Sequence, residues 1–188
     1  MVNLLEKIRE KQAKLDRFNE EEIEMQGVKL EVLDISYNDI EFNEDIFVKL
    51  KDAIFHSNLR ELNIDHNSIG VGGAKYFGFA LNGPSKLQTL NLSHCEITAP
   101  GAQAILDGIK RNLTLAHLNL SYNDLNGGSI SSKVWFETLR ANKCLKSLKL
   151  DGCNLGDKVL KEIAKGITGH TSLQKLSVRL CAAEDSAI

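Results

Sequence analysis

The chain has 188 residues, 43% hydrophobic and 26% charged, with a net charge of −2. It is long enough to bury a core without a metal or disulfide staple, and a pI near 6.2 gives no electrostatic reason to expect a nucleic acid or an anionic membrane surface. No apolar run approaches the roughly 18 residues of a membrane span and no secretory signal opens the chain, so Cys95, Cys144, Cys153 and Cys181, which form no CxxC pair, are expected as free thiols in a reducing, cytoplasmic setting.

The first element is a helix within residues 1–24, where Leu4, Leu5, Ile8, Leu15 and Phe18 share one apolar face interrupted at Gln12. Its expected role is a cap over whatever follows, with partner docking as the alternative. From residue 25 to 188 the text repeats. "LEVLDISYNDI" starts at Leu30, "LRELNIDHNSI" at Leu59, "LQTLNLSHCEI" at Leu87, "LAHLNLSYNDL" at Leu115, "LKSLKLDGCNL" at Leu145 and "LQKLSVRLCAA" at Leu173. The starts are 29, 28, 28, 30 and 28 residues apart, and fixed self-similarity of this kind marks a solenoid.

Within each copy, alternation in LxL predicts a short strand with its leucines on the core side. A column of Asn38, Asn67, Cys95, Asn123, Cys153 and Cys181 then turns the chain inward. A buried Asn amide there can bond loop backbone, and a buried Cys packs as a small hydrophobe. A helix follows in each interval. Its inner face holds Ala74, Phe77 and Leu81 in the second copy, and Ala102, Ile105, Leu106 and Ile109 in the third, where Pro100 suits the first turn. The fourth copy carries two extra residues in "NGGSISS", after which Trp135, Phe136 and Leu139 take the matching positions; Val159, Ile163 and Ile167 do so in the fifth. The sixth copy ends after "AAEDSAI", too short for another helix. Its strand is then an open edge, either because the array continues in a longer protein or because another molecule covers it. A monomer is the expected state.

Six copies of LxxLxLxx(N/C)xL over residues 25–181 resemble the ribonuclease-inhibitor-like class of leucine-rich-repeat proteins. That resemblance implies an α/β, right-handed horseshoe, with a parallel sheet on the concave face and helices on the convex face. It also implies a non-catalytic array that binds a protein partner. Two narrower roles stay open: regulator of a small GTPase, and cytoskeletal (actin-type) cap or scaffold.

Catalytic signatures are missing: the chain has no GxxxxGK[ST], HExxH or GxSxG, and neither cofactor nor metal is expected. Gly70, Gly72 and Gly73 superficially resemble a phosphate loop but sit where repeat turns use glycine. His66 and His94 occupy the same position in adjacent copies, with Asp65 beside the first and His117 on the next strand. Three imidazoles could gather a metal, yet Tyr37 and Tyr122 fill the same column, so the column reads as an aromatic contact ladder. Trp135 aligns with Ile105 and Ile163 and is expected in the core.

Strand positions facing away from the core segregate by charge. Glu31, Asp34, Glu61 and Asp65 stand against Arg60 in the first two copies; Lys146, Lys149, Lys175 and Arg179 stand against Asp151 in the last two. The middle copies offer Asn91, His94, His117, Asn119 and Tyr122 with no formal charge. Over five strand steps, roughly 24 Å, this face is expected to orient a protein partner, although exposed strand positions must be polar in any case. The candidate contacts are Asp34, Tyr37, Glu61, Asp65, His66, Asn91, His94, His117, Asn119, Tyr122, Lys149 and Arg179.

Overall fold

The computed structural model describes residues 30–38, 40, 43–126 and 131–181. The expected cap helix over residues 1–24 and the tail after Cys181 lie outside the described residues. Among the described residues, six three-residue strands alternate with five helices: β1 (Val32–Asp34), α1 (Glu44–His56), β2 (Glu61–Asn63), α2 (Gly70–Leu81), β3 (Thr89–Asn91), α3 (Ala99–Ile109), β4 (His117–Asn119), α4 (Lys133–Ala141), β5 (Ser147–Lys149), α5 (Gly156–Ile167) and β6 (Lys175–Ser177). The strands form one parallel sheet in the order β1 to β6, with the helices returning the chain on its other side. This is an α/β solenoid.

Register follows the leucine pattern. Leu33, Leu62, Leu90, Leu118, Leu148 and Leu176 pair in sequence across the sheet, each the middle residue of its strand and directed at the core. Aliphatic residues flanking the strands complete the layer: Leu115 and Leu120, on either side of β4, are as inaccessible to solvent as Leu118 within it. Burial falls at both ends of the described stack, where Leu30 is exposed and Leu173 and Leu176 are half-buried.

The turn column behaves as its chemistry requires. Asn67 and Asn123 are buried, and the Asn123 amide donates to the carbonyls of Leu92, Leu120 and Ser121. Its Oδ1 accepts from the backbone N–H groups of Cys95 and Ile97 in the preceding copy. One side chain thus satisfies five backbone groups that the sharp turns leave without partners. Cys95 and Cys153 fill the same column, with their thiols donating to backbone carbonyls. A second pair of asparagines closes two of the helix-to-strand loops: Asn112 donates to Leu81 O and accepts from Thr114 N and Leu115 N, and Asn142 repeats the pattern.

The helices pack with the expected faces and one shift. On α4 the buried residues are Val134, Trp135, Thr138 and Leu139. Phe136, expected inside, is only half-buried and lies near the Arg140 guanidinium. Thr138 takes the inner position because its hydroxyl donates to Leu106 O, 3.4 Å away on the neighbouring helix end. Between α2 and α3 the contact is backbone to backbone: a β-carbon at Gly108 would collide with the Gly78 carbonyl, and one at Gly78 with that of Ala104.

Candidate protein-binding face

Four parallel rows of side chains run across the sheet, each set by its offset from the buried strand leucine. The first row holds Val32, Glu61, Thr89, His117, Ser147 and Lys175, in register from β1 to β6. Glu61 and His117 are exposed here. His117 therefore stands in a different row from His66 and His94 and does not join them as a third imidazole.

The second row, Asp34, Asn63, Asn91, Asn119, Lys149 and Ser177, is partly bonded to itself. Asn63 Nδ2 donates to Asp34 Oδ2 at 3.0 Å and Asn91 Nδ2 to Asn63 Oδ1 at 2.8 Å. Hydrogen bonds from the Ser36 hydroxyl, the Ser36 backbone N–H and Asn63 hold the Asp34 carboxyl below its ordinary range. Asn63 was not among the residues singled out from sequence, yet it joins Asp34 to the neutral centre. Aligning the third position of every strand exposes it.

In the third row, Ser36, Asp65, Ser93, Ser121, Asp151 and Arg179, two residues differ in role from their sequence reading. Asp151 is only 5% exposed and accepts from Ser177 Oγ at 2.6 Å, Arg179 N at 2.8 Å and Arg179 Nη2 at 3.0 Å. Burial opposes its ionisation, but the hydrogen bonds from Arg179 and Ser177 and the guanidinium charge outweigh that, holding the carboxyl at about 2. Arg179 is thus engaged with Asp151, and the open positive charge at this end rests on the exposed Lys146, Lys149 and Lys175. At the acidic end Glu31 lies 3.8 Å from Arg60, both well exposed.

The fourth row is Tyr37, His66, His94, Tyr122, Gly152 and Leu180. All six have left-handed backbone, with φ between 50° and 67°. The backbone N–H of each of the first five donates to a carbonyl of the next copy, Tyr37 to Asp65 O, His66 to Ser93 O, His94 to Ser121 O, Tyr122 to Asp151 O and Gly152 to Arg179 O. That pinning stacks the side chains: ring centroids are 4.0 Å apart for Tyr37–His66, 4.0 Å for His66–His94 and 4.4 Å for His94–Tyr122, with planes within 23° of parallel. The stack ends at Gly152, where a β-carbon would meet the Tyr122 ring at 2.7 Å. Tyr37 and Tyr122 remain 69% and 49% exposed. Because the rings cover one another's faces, the row presents polar edges to a partner, and the outer face of Tyr37 is the open stacking surface.

The thiols take no part in this face. Burial pushes Cys95 and Cys153 up to about 12, which keeps them protonated and unreactive. All four cysteines are free.

Comparison with known proteins agrees with this geometry. A leucine-rich-repeat family model matches residues 28–41, 55–78, 83–106, 111–132 and 141–164. The human "NACHT, LRR and PYD domains-containing protein 13" is 30% identical over 131 residues, 69% of this chain and 12% of that protein. Mouse ribonuclease inhibitor is 29% identical over 124 residues, 65% of this chain and 27% of the inhibitor. The chain therefore spans about a quarter or less of the length of these relatives. Among solved structures, the actin-binding site 2 segment of leiomodin-1 superposes with a TM-score of 0.57 at 18% identity, covering 73% of this chain and 81% of that one, a likeness of fold.

Proposed function

Because the chain belongs to the leucine-rich-repeat family, in its ribonuclease-inhibitor-like class, we propose that it is a binding module that holds a protein partner across the sheet face and the aromatic row beside it. The observation that carries this reading is the placement of Tyr37, His66, His94 and Tyr122 at left-handed positions. A non-glycine residue there costs on the order of 1 kcal/mol, while a stacked ring pair contributes about 0.5–1.5 kcal/mol. The row is thus close to neutral for folding, and Gly152 fills the same position in the fifth copy without a ring at all. Exposed aromatics that folding does not require are what a contact surface needs.

The rigid amide and hydroxyl bonds among Asp34, Asn63, Asn91 and Ser93 support the same reading, since they pre-order polar groups that a partner would otherwise have to organise. Glu61 at one end and Lys149 at the other would set the partner's orientation. Free thiols and the lack, among described residues, of a helix long and apolar enough to cross a membrane suit a cytoplasmic setting.

The test is affinity capture from the source cell, comparing the unaltered chain with Tyr37→Ala, Lys149→Glu and a helix-side control, Lys161→Glu with Lys165→Glu. The expected result is a partner lost with Tyr37→Ala, bound more slowly by Lys149→Glu and unaffected by the control. A partner that tolerates the first two and is lost with the control would place the binding surface on the helices instead. The leiomodin-1 likeness makes actin co-sedimentation a direct second assay.

A further inference from the structure

We infer that Asp65, His66 and His94 form a binding site for a single transition-metal ion of the imidazole-preferring kind, such as Zn²⁺. One donor atom from each residue lies within 4.8 Å of the other two. The sequence favours an aromatic ladder over a metal site and offers His117 only as a third imidazole; the structure brings the Asp65 carboxylate to His66 and His94 instead. This inference concerns the site itself and does not depend on what the sheet face binds.

The contact between His66 and Asp65 is the informative one. His66 Nδ1 lies 2.9 Å from Asp65 Oδ1, yet this buried nitrogen makes no aligned hydrogen bond among the described residues. With the ring proton on Nε2, an imidazole lone pair and a carboxylate oxygen would face each other across that gap with nothing between them. Two acceptors so placed repel, and a buried polar atom without a partner is costly. A cation bound to both removes the conflict.

The surroundings suit such an ion. The backbone of all three residues is pinned by the sheet and by the row of bonds between copies, including His66 N to Ser93 O. Ser93 Oγ donates to the same Asp65 Oδ1 at 2.7 Å and so fixes the carboxylate, as outer groups commonly do around metal ligands. Two imidazoles and one carboxylate favour Zn²⁺ or its late-transition neighbours over Mg²⁺ and Ca²⁺, which select all-oxygen cages. Three protein donors leave a fourth tetrahedral position for water. Bond lengths near 2.1 Å put tetrahedral ligands about 3.4 Å apart, so His66 Nδ1 and Asp65 Oδ1, 2.9 Å apart, must open slightly, while donors standing as much as 4.8 Å apart must draw closer. The His94 ring is exposed and already tilted 23° from His66. Binding asks it to tilt further and to give up part of its stacking.

The experiment is calorimetric titration of the metal-free full chain with ZnSO₄, repeated in excess MgCl₂, alongside NMR of the imidazole signals. The expected result is one ion per chain, unaffected by Mg²⁺, with the His66 and His94 signals shifting together. His94→Gln and Asp65→Asn should each weaken binding by roughly tenfold or more, with circular dichroism confirming that both variants fold. Zinc binding must also survive Cys144→Ser with Cys181→Ser, since half-buried thiols are the competing donors. Absence of zinc binding overturns the inference, as does binding that persists in His94→Gln or disappears with the thiols. NMR of the unaltered chain decides the matter even if a variant misfolds: zinc that leaves the His66 and His94 signals in place is bound elsewhere.

Discussion

Asn123 shows how much one side chain can carry in this architecture. Its amide spans five backbone groups in two copies, all of them deep in the turn. Asn123→Ala strands those groups without solvent, and buried polar atoms left alone cost about 1–3 kcal/mol each before relaxation. The expected loss is roughly 2–5 kcal/mol in urea melts. Asn123→Cys should cost less than Asn123→Ala, because Cys95 and Cys153 occupy the equivalent positions and donate to the same kind of carbonyl. Asp151 acts on stability through pH. Its folded pKa, about 2, lies below the ordinary 3.8, so its contribution is complete above the ordinary value and disappears as pH falls through the folded one. Denaturant titrations between about pH 5 and pH 2 should show stability declining with acid, and Asp151→Asn should flatten that slope in the same window.

At the scale of elements, the closest packing is the glycine seam between α2 and α3. Gly108→Ala adds a methyl group where the Gly78 carbonyl already sits. A helix interior normally gains from that exchange, by up to about 1 kcal/mol. Here overpacking should reverse the sign and destabilise by about 1–3 kcal/mol, read from thermal melts by circular dichroism. The strands and most helix faces were legible in the text because leucine spacing encodes them directly. The α4 face was not wholly so: Thr138 and Phe136 exchange places relative to a hydrophobicity reading, since a hydroxyl that reaches Leu106 O is satisfied inside. The aromatic column could be read as a row, but its stacking distances depend on left-handed backbone and on bonds between copies. Asn63 and the Asp151–Arg179 pair were hidden for a related reason. A sequence shows which residues are charged, whereas which of those charges are already engaged depends on neighbours some 28 residues away.

On the scale of the whole molecule, each copy touches mainly the copies before and after it, so damage should travel along the stack. Leu118 is buried at the centre of β4, flanked by Leu90 and Leu148 in register. Leu118→Ala should cost roughly 2–5 kcal/mol. Hydrogen exchange should show faster opening in β3 and β5 as well as β4, because neighbouring copies share that interface. Exchange confined to β4 would mean that the copies are coupled less tightly than the continuous core implies.

The ring stack also makes the molecule its own reporter. His66 lies between Tyr37 and His94, and His94 between His66 and Tyr122, each at about one ring thickness. Circulating π electrons on both sides shield the carbon-bound protons of the two imidazoles. Those protons should resonate well upfield of free histidine in the folded chain and return to ordinary positions whenever the stack opens. The row can therefore be followed in unlabelled protein, at sites where no probe needs to be attached, and the two imidazoles report separately on the Tyr37 and Tyr122 ends.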